Sequence, residues 1–107
     1  MIVVQNRLIG PAALAEHVEQ GFAHASANMK ELPGFVDFKL LRAEGEVTGL
    51  DEGEVLYVAH TLWRDRASYE AWRDGDAFAK AHSGRNSGSN SPLKSTLEVF
   101  ESVLEKA

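Results

Sequence analysis

The run EVLYVAHTLW, Glu54 to Trp63, leaves the least freedom to a fold. It is rich in β-branched and aromatic residues, holds no glycine or proline, and reads as the best-defined strand of the chain. Val55, Tyr57, Ala59, Thr61 and Trp63 share one face, and Leu56, Val58, His60 and Leu62 the other. His60 is then either a core residue or one that meets a partner.

A second alternating run, Ile2 to Leu8, puts Ile2, Val4, Asn6 and Leu8 on one face and Val3, Gln5 and Arg7 on the other. Asn6 thus sits among apolar neighbours, where its amide either bonds a nearby backbone group or serves another purpose. Gly10-Pro11 marks a helix start, since proline fits the first helical turn. Leu14, Val18, Phe22, Ala25 and Met29 recur at helical spacing, which predicts an amphipathic helix to about Lys30, ended by Leu32-Pro33-Gly34. His17 falls beside its polar face. His24 is either a histidine at the edge of the core or, with Phe22, part of a pocket lining. Phe35 to Leu41 reads as a strand with Val36, Phe38 and Leu40 facing one way, and Arg42 to Gly53 as an acidic, glycine-punctuated hairpin loop.

The last segment is ambiguous locally. Leu97, Phe100, Val103 and Leu104 have helical spacing, whereas Leu97, Val99, Glu101 and Val103 alternate. Topology favours a strand over Ser95 to Leu104, because a β-α-β-β-α series needs a fourth strand to complete a two-layer sheet. The expected architecture is a single α+β domain over residues 1–107, ferredoxin-like in its β-α-β-β-α-β order. Helices cover one sheet face. Two such sheets packed face to face would form a dimeric α/β barrel, and a homodimer also suits a chain that alone buries only about two thirds of its unfolded surface.

Composition narrows the chemistry. Without cysteine there are no disulfides, no thiolate catalysis, no iron–sulfur cluster and no covalent c-type haem. A net charge of −5 argues against nucleic acid as a partner. No run approaches the roughly 18 apolar residues of a membrane span. The opening MIVVQNRLIG has no basic region of a signal peptide, so no membrane contact and a cytoplasmic location are expected.

The stretch DRASYEAWRDGDAFAKAHSG, Asp65 to Gly84, carries the most suggestive chemistry. Asp65 can cap a helix on which Tyr69 and Trp72 share a face. Gly75 breaks it, and Asp76 can cap a second short piece on which Phe78 and His82 share a face. Gly84 falls where a left-handed C-terminal cap would end it. A slim helix with an imidazole near its end and large aromatics upstream suits a flat apolar ligand with a metal at its centre. A neutral imidazole can ligate haem iron axially. Composition alone favours a structural histidine at a helix end, since positive charge is favoured there. The following SGRNSGSNSP, Ser83 to Pro92, is either a plain surface loop or a flap beside a ligand.

Asn6 in VVQNRL, Trp72 in YEAWRDGDAF and His82 in FAKAHSG together resemble the Asn-Trp-His triad of the IsdG-type haem-degrading monooxygenases, within the antibiotic-biosynthesis-monooxygenase-like superfamily of dimeric barrels. The similarity extends to LPGFVDFKLLR, to the Val58–Trp63 strand and to the ten-residue step from Trp72 to His82. The resemblance implies haem as both substrate and cofactor, with O2 and an external electron donor, an unidentified reductase, as co-reactants. It implies His82 as the axial ligand of the haem iron, Asn6 as a distal amide donor and Trp72 as the bulk that forces the macrocycle out of plane. It also implies that Phe78, Phe22 and His24 contact the haem, and that ring opening releases iron. Arginines found on the first helix of some family members have no counterpart in QGFAHASAN, which leaves Arg7, Arg73, Arg85 or solvent for the propionates. Two other readings stay open. One is a cofactor-independent monooxygenase of polycyclic quinol- or anthrone-like substrates, and the other a haem-binding dimer without activity.

Overall fold

The computed structural model describes residues 1–44, 49–75 and 93–106. Strand β1, Ile2–Pro11, pairs antiparallel with β3, Glu54–Trp63, over its whole length, from Ile2 opposite Trp63 to Pro11 opposite Glu54. Strand β2, Phe35–Arg42, flanks β3, and β4, Lys94–Glu101, flanks β1, giving the sheet order β2-β3-β1-β4. Helix α1, Ala15–Ala25, follows β1, and α2, Arg66–Arg73, follows β3. The ferredoxin-like order stands, and the ambiguous last segment is a strand. No helix among the described residues is long and apolar enough to cross a membrane.

Cross-strand neighbours share a face, so the registers sort every side chain. Ile2, Val4, Asn6 and Leu8 line up with Trp63, Thr61, Ala59 and Tyr57. On this face the helices lie over two buried clusters. One gathers Ile2, Val4, Met29, Trp63 and Tyr69; the other gathers Leu8, Val18, Phe22, Tyr57 and Ala59. Phe38 packs against both. Trp63 is fully buried, and its indole N–H donates to Thr61 Oγ1 at 3.0 Å, which answers the polar atom that burial would otherwise strand. Both alternating runs therefore face as their periodicity predicts.

Three boundaries differ. The first helix does not start at Pro11, because the ladder holds the chain extended to that point and Ala12 N–H still donates to Gly53 O at 2.7 Å. A 3-10 turn over Ala12–Leu14 then leads into α1. The helix also stops at Ala25, not Lys30, and Met29 reaches the core from a separate 3-10 turn, Met29–Glu31, while Ala25 is exposed. In β2 a bulge between Phe35 and Asp37 moves Val36 out of line. Phe35 takes its place against Trp63, and Val36 is 42% exposed. Strand β4 ends at Glu101, which leaves Val103 and Leu104 exposed. The expected hairpin loop partly lies outside the described residues, at 45–48.

Gly34 locks the β2 entry to α2. Its φ is +77°, its carbonyl accepts from Arg64 N–H at 2.8 Å, and a Cβ there would fall 2.0 Å from Ser68 Oγ. Gly34→Ala should therefore lower stability by about 1–3 kcal/mol through both the left-handed backbone and the collision. An unchanged urea midpoint would contradict this account.

Candidate functional site

Asn6 is the odd residue of the helix-side face. It stands between Val4 of one core cluster and Leu8 of the other, half-buried, beside the small Ala59 on β3. Its β4 neighbour is Leu97, and Val99 lies next along the same face opposite Val4. These two are 49% and 38% exposed although they point to the side that carries the helices. Among the described residues the Asn6 side-chain amide has no hydrogen-bond partner. Buried and half-buried polar groups nearly always have one, so an amide open on an apolar wall points to something that binds there. The wall was only half legible in advance. The alternation of Leu97 and Val99 was visible, but their nearness to Asn6 follows from pairing alone.

Trp72 is placed by α2. Asp65 caps that helix as expected, its Oδ1 accepting from Ser68 N–H at 2.8 Å. The two hydrogen bonds from Ser68 hold the Asp65 carboxyl below the usual carboxylate range. One turn on, Tyr69 is buried and Trp72 half-buried, with ring centroids 6.3 Å apart. Trp72 stacks on Trp63 at 5.2 Å and 30°, so its indole is anchored to the end of β3 opposite Ile2. Ile2 and Asn6 are four residues apart, or about 13 Å along the strand. That span is comparable to the width of a porphyrin. The helix ends at Arg73, and Gly75 follows where a Cβ would stand 3.1 Å from the Ala71 carbonyl.

The remaining candidates are dispersed. Phe22 is buried beneath α1 and stacks on Phe38 at 6.4 Å, which makes it part of the core floor. His24 is exposed on α1. Phe78 and His82, with the expected second helical piece and the Ser83–Pro92 loop, lie outside the described residues. Of the cations, Arg7 projects from the opposite sheet face, level with Val58 and Thr96, which removes it from any ligand held beside Asn6. Arg73 lies over the Tyr69 ring at 5.6 Å and bonds Asp74 at 3.1 Å.

Two surface hollows lie elsewhere. One of about 360 Å³ runs between Leu32-Pro33 and the outer side of α2, where it includes Trp72. Another of about 620 Å³ lies by Glu19, Arg42 and Tyr57. There Tyr57 donates to Glu19, which also meets Arg42 at 3.4 Å, and burial followed by the Glu19 contact pushes the Tyr57 phenol up. Sequence reasoning had no signal for this trio, whose members come from three elements. Neither hollow includes Asn6.

An antiparallel sheet in this order, covered on one face by two helices, is a ferredoxin-like α+β scaffold. The chain belongs to the antibiotic biosynthesis monooxygenase family, whose model matches residues 1–84. It is 34% identical over 104 residues to a mycobilin-producing heme oxygenase of Mycobacterium tuberculosis, covering 97% of this chain and 90% of that protein. A staphylobilin-producing heme oxygenase of Staphylococcus haemolyticus is 33% identical over 106 residues, covering 97% and 96%. Among solved structures, the heme-degrader MhuD of Mycobacterium tuberculosis with two hemes in its active site superposes with a TM-score of 0.70 at 30% identity, covering both chains fully. A mutant of the cofactor-independent oxygenase SnoaB of Streptomyces nogalater shares the fold with a TM-score of 0.69 at 21% identity, over 97% and 94% of the two chains.

Two outcomes test this geometry in the absence of ligand. Trp72→Ala should destabilise the protein by about 1–3 kcal/mol, because the indole packs on Trp63, and Trp72→Phe should recover part of that. A melting temperature unmoved by Trp72→Ala would separate the indole from the core. The Asp65 carboxyl is depressed on folding, so its contribution is present above its unfolded pKa and lost as pH falls through the folded one. Asp65→Asn should accordingly show a shallower loss of melting temperature than the wild type between pH 5 and roughly pH 2. Parallel profiles would contradict the cap's electrostatic role.

Proposed function

We propose that this protein is a haem-degrading monooxygenase that binds haem over the helix-side face of β1 and β4 and opens the porphyrin ring with O2 and electrons from an external donor, releasing iron. The observation that carries the reading is the Asn6 amide, without a partner among the described residues, on an apolar wall in a chain about one third identical, over nearly its whole length, to proteins named heme oxygenases. Exposed Leu97 and Val99 suit the flat apolar body of a macrocycle, and the amide suits a polar group at its centre.

The residues divide the work. His82 would hold the haem iron through an imidazole nitrogen, and Phe78, four residues before it in the sequence, would offer the ring an apolar contact. Bound haem supplies the iron at which oxygen is activated once electrons arrive. Asn6 would offer the bound haem a neutral N–H donor, which delivers no proton as an acid would. Trp72 supplies stiff bulk against the macrocycle, and its stack on Trp63 keeps it from yielding. Arg73, on the same helix end, is the described cation best placed for a propionate now that Arg7 faces away. The electron donor is a separate reductase, and the active form is a homodimer whose sheets face each other.

Haem titration and turnover test the assignment. His82→Ala should lose the Soret band of tightly bound haem. Asn6→Ala should keep the band, yet consume haem at least tenfold more slowly with oxygen and reductant, as the loss of one preorganised donor costs on the order of 10²-fold elsewhere. Equal haem binding and turnover in both variants would sink the triad. Wild-type protein that binds no haem but oxidises an anthrone without cofactor would establish the other oxygenase chemistry.

A further inference from the structure

Helix α1 carries a glycine at mid-length, Gly21, between the buried Val18 and Phe22. Glycine inside a helix costs stability relative to alanine, because its freer backbone loses more on folding. Two local needs commonly justify it. One is a left-handed backbone, but the described glycines with positive φ are Gly34, Gly49 and Gly53. The other is a close approach by a neighbour. Gly34 and Gly75 each have one, whereas among the described residues a Cβ added at Gly21 would meet nothing within 4 Å. Gly21 is exposed, its backbone is ordinary helix, and the space beside it is open.

The direction of that space follows from the turn of the helix. At about 100° per residue, Glu19 and Gly21 fall on opposite flanks of the Val18–Phe22 stripe, each about 80° from its centre. Glu19 meets Arg42 of β2 and accepts from Tyr57 of β3, so its flank is turned to the β2 edge. In the order β2-β3-β1-β4 the Gly21 flank is then turned to β1 and β4. Its level along the strands is set by Phe22, which packs in the cluster of Ala59 and stacks on Phe38, the residue opposite Thr61. Ala59 and Thr61 stand opposite Asn6 and Val4 of β1, and these stand opposite Leu97 and Val99 of β4. The open side of Gly21 thus overlooks the wall that holds Asn6 and the exposed Leu97 and Val99.

We infer that Gly21 is a specificity-determining residue of the site beside Asn6: its missing side chain is the room in which a flat ring system on that wall is received against α1. The inference rests on the function proposed above and adds to it a residue and the physical reason for that residue. Helix stability given up where neither backbone nor packing requires it is the trade expected of a surface kept clear for a ligand. A longer side chain at this position would narrow the space between α1 and β4, so the residue sets how far beneath the helix a ring can reach.

Melting temperature and ligand titration, read on the same variants of the full chain, test it. Gly21→Ala and Gly21→Leu should raise the melting temperature of the ligand-free protein by about 3–5 °C, since both residues favour helix over glycine. Gly21→Leu and Gly21→Trp should nevertheless raise the haem dissociation constant by roughly tenfold or more, and Gly21→Ala, the smallest addition, by less. Ala23→Trp, exposed on the Glu19 side of the same helix, should leave binding within about twofold of the wild type. Binding lost in step with a lowered melting temperature would mean that the protein's own residues fill the space, which overturns the inference. Haem bound by Gly21→Trp as tightly as by the wild type also overturns it, and leaves the haem reading standing. A wild type that binds no haem but takes up anthrone, with that uptake lost in Gly21→Leu, keeps the role of Gly21 and removes haem as the ligand. A wild type that binds neither, or an anthrone uptake that Gly21→Leu leaves unchanged, overturns both.

Discussion

The pairing of β1 with β3 is the constraint on which the rest depends. Every residue of both strands takes part, from Ile2 opposite Trp63 to Pro11 opposite Glu54. A slip of one position would turn Val4, Asn6 and Leu8 to the far face and bring Val3, Gln5 and Arg7 under the helices. Burying Arg7 and Gln5 without partners would cost far more than the register can yield. The two strands also carry most of the two core clusters, so the helices find their positions by covering what this ladder presents.

The same ladder gives the sheet two faces of different character. On the helix side, core packing is dense at Trp63 and Tyr69 and again at Leu8 and Tyr57. Between the two lies the Asn6–Ala59 position, where a small residue and an amide replace bulk. Trp72 lies at the far end of β3, where its stack on Trp63 fixes the direction of the indole. On the other side, Lys39, His60, Gln5 and Glu98 form a polar row across the sheet, and Arg7 and Thr96 make up half of the next. One strand, β1, contributes to both faces through adjacent residues, Gln5 outward and Asn6 inward.

Much of this was legible beforehand, for reasons that lie in local geometry. Alternation in Ile2–Leu8 and Glu54–Trp63 predicts which side chains share a face, because the side-chain period of a strand is two whatever it pairs with. The Asp65 cap and the Tyr69–Trp72 face follow from a helical turn. The strand at 94–101 was legible only through the element count, since its local pattern fits a helix as well. The triad of Asn6, Trp72 and His82 was legible as a resemblance. Of its members, Asn6 and Trp72 fall within the described residues.

Taken by itself, the sequence determined the order of the elements, the inward face of each long strand and the position of Asn6 among apolar neighbours, all consequences of backbone period and of glycine, proline and capping residues. Tertiary structure decided where elements stop and what stays unpaired. Pro11 remains in a strand because Gly53, far along the chain, accepts from Ala12. Phe35 displaces Val36 because a bulge lets the larger ring reach Trp63. Among the described residues the Asn6 amide has no partner, because its neighbours across the sheet, Ala59 and Leu97, have no side-chain group to offer it. Each of these depends on which distant residue lies opposite, and no local period of the chain encodes that.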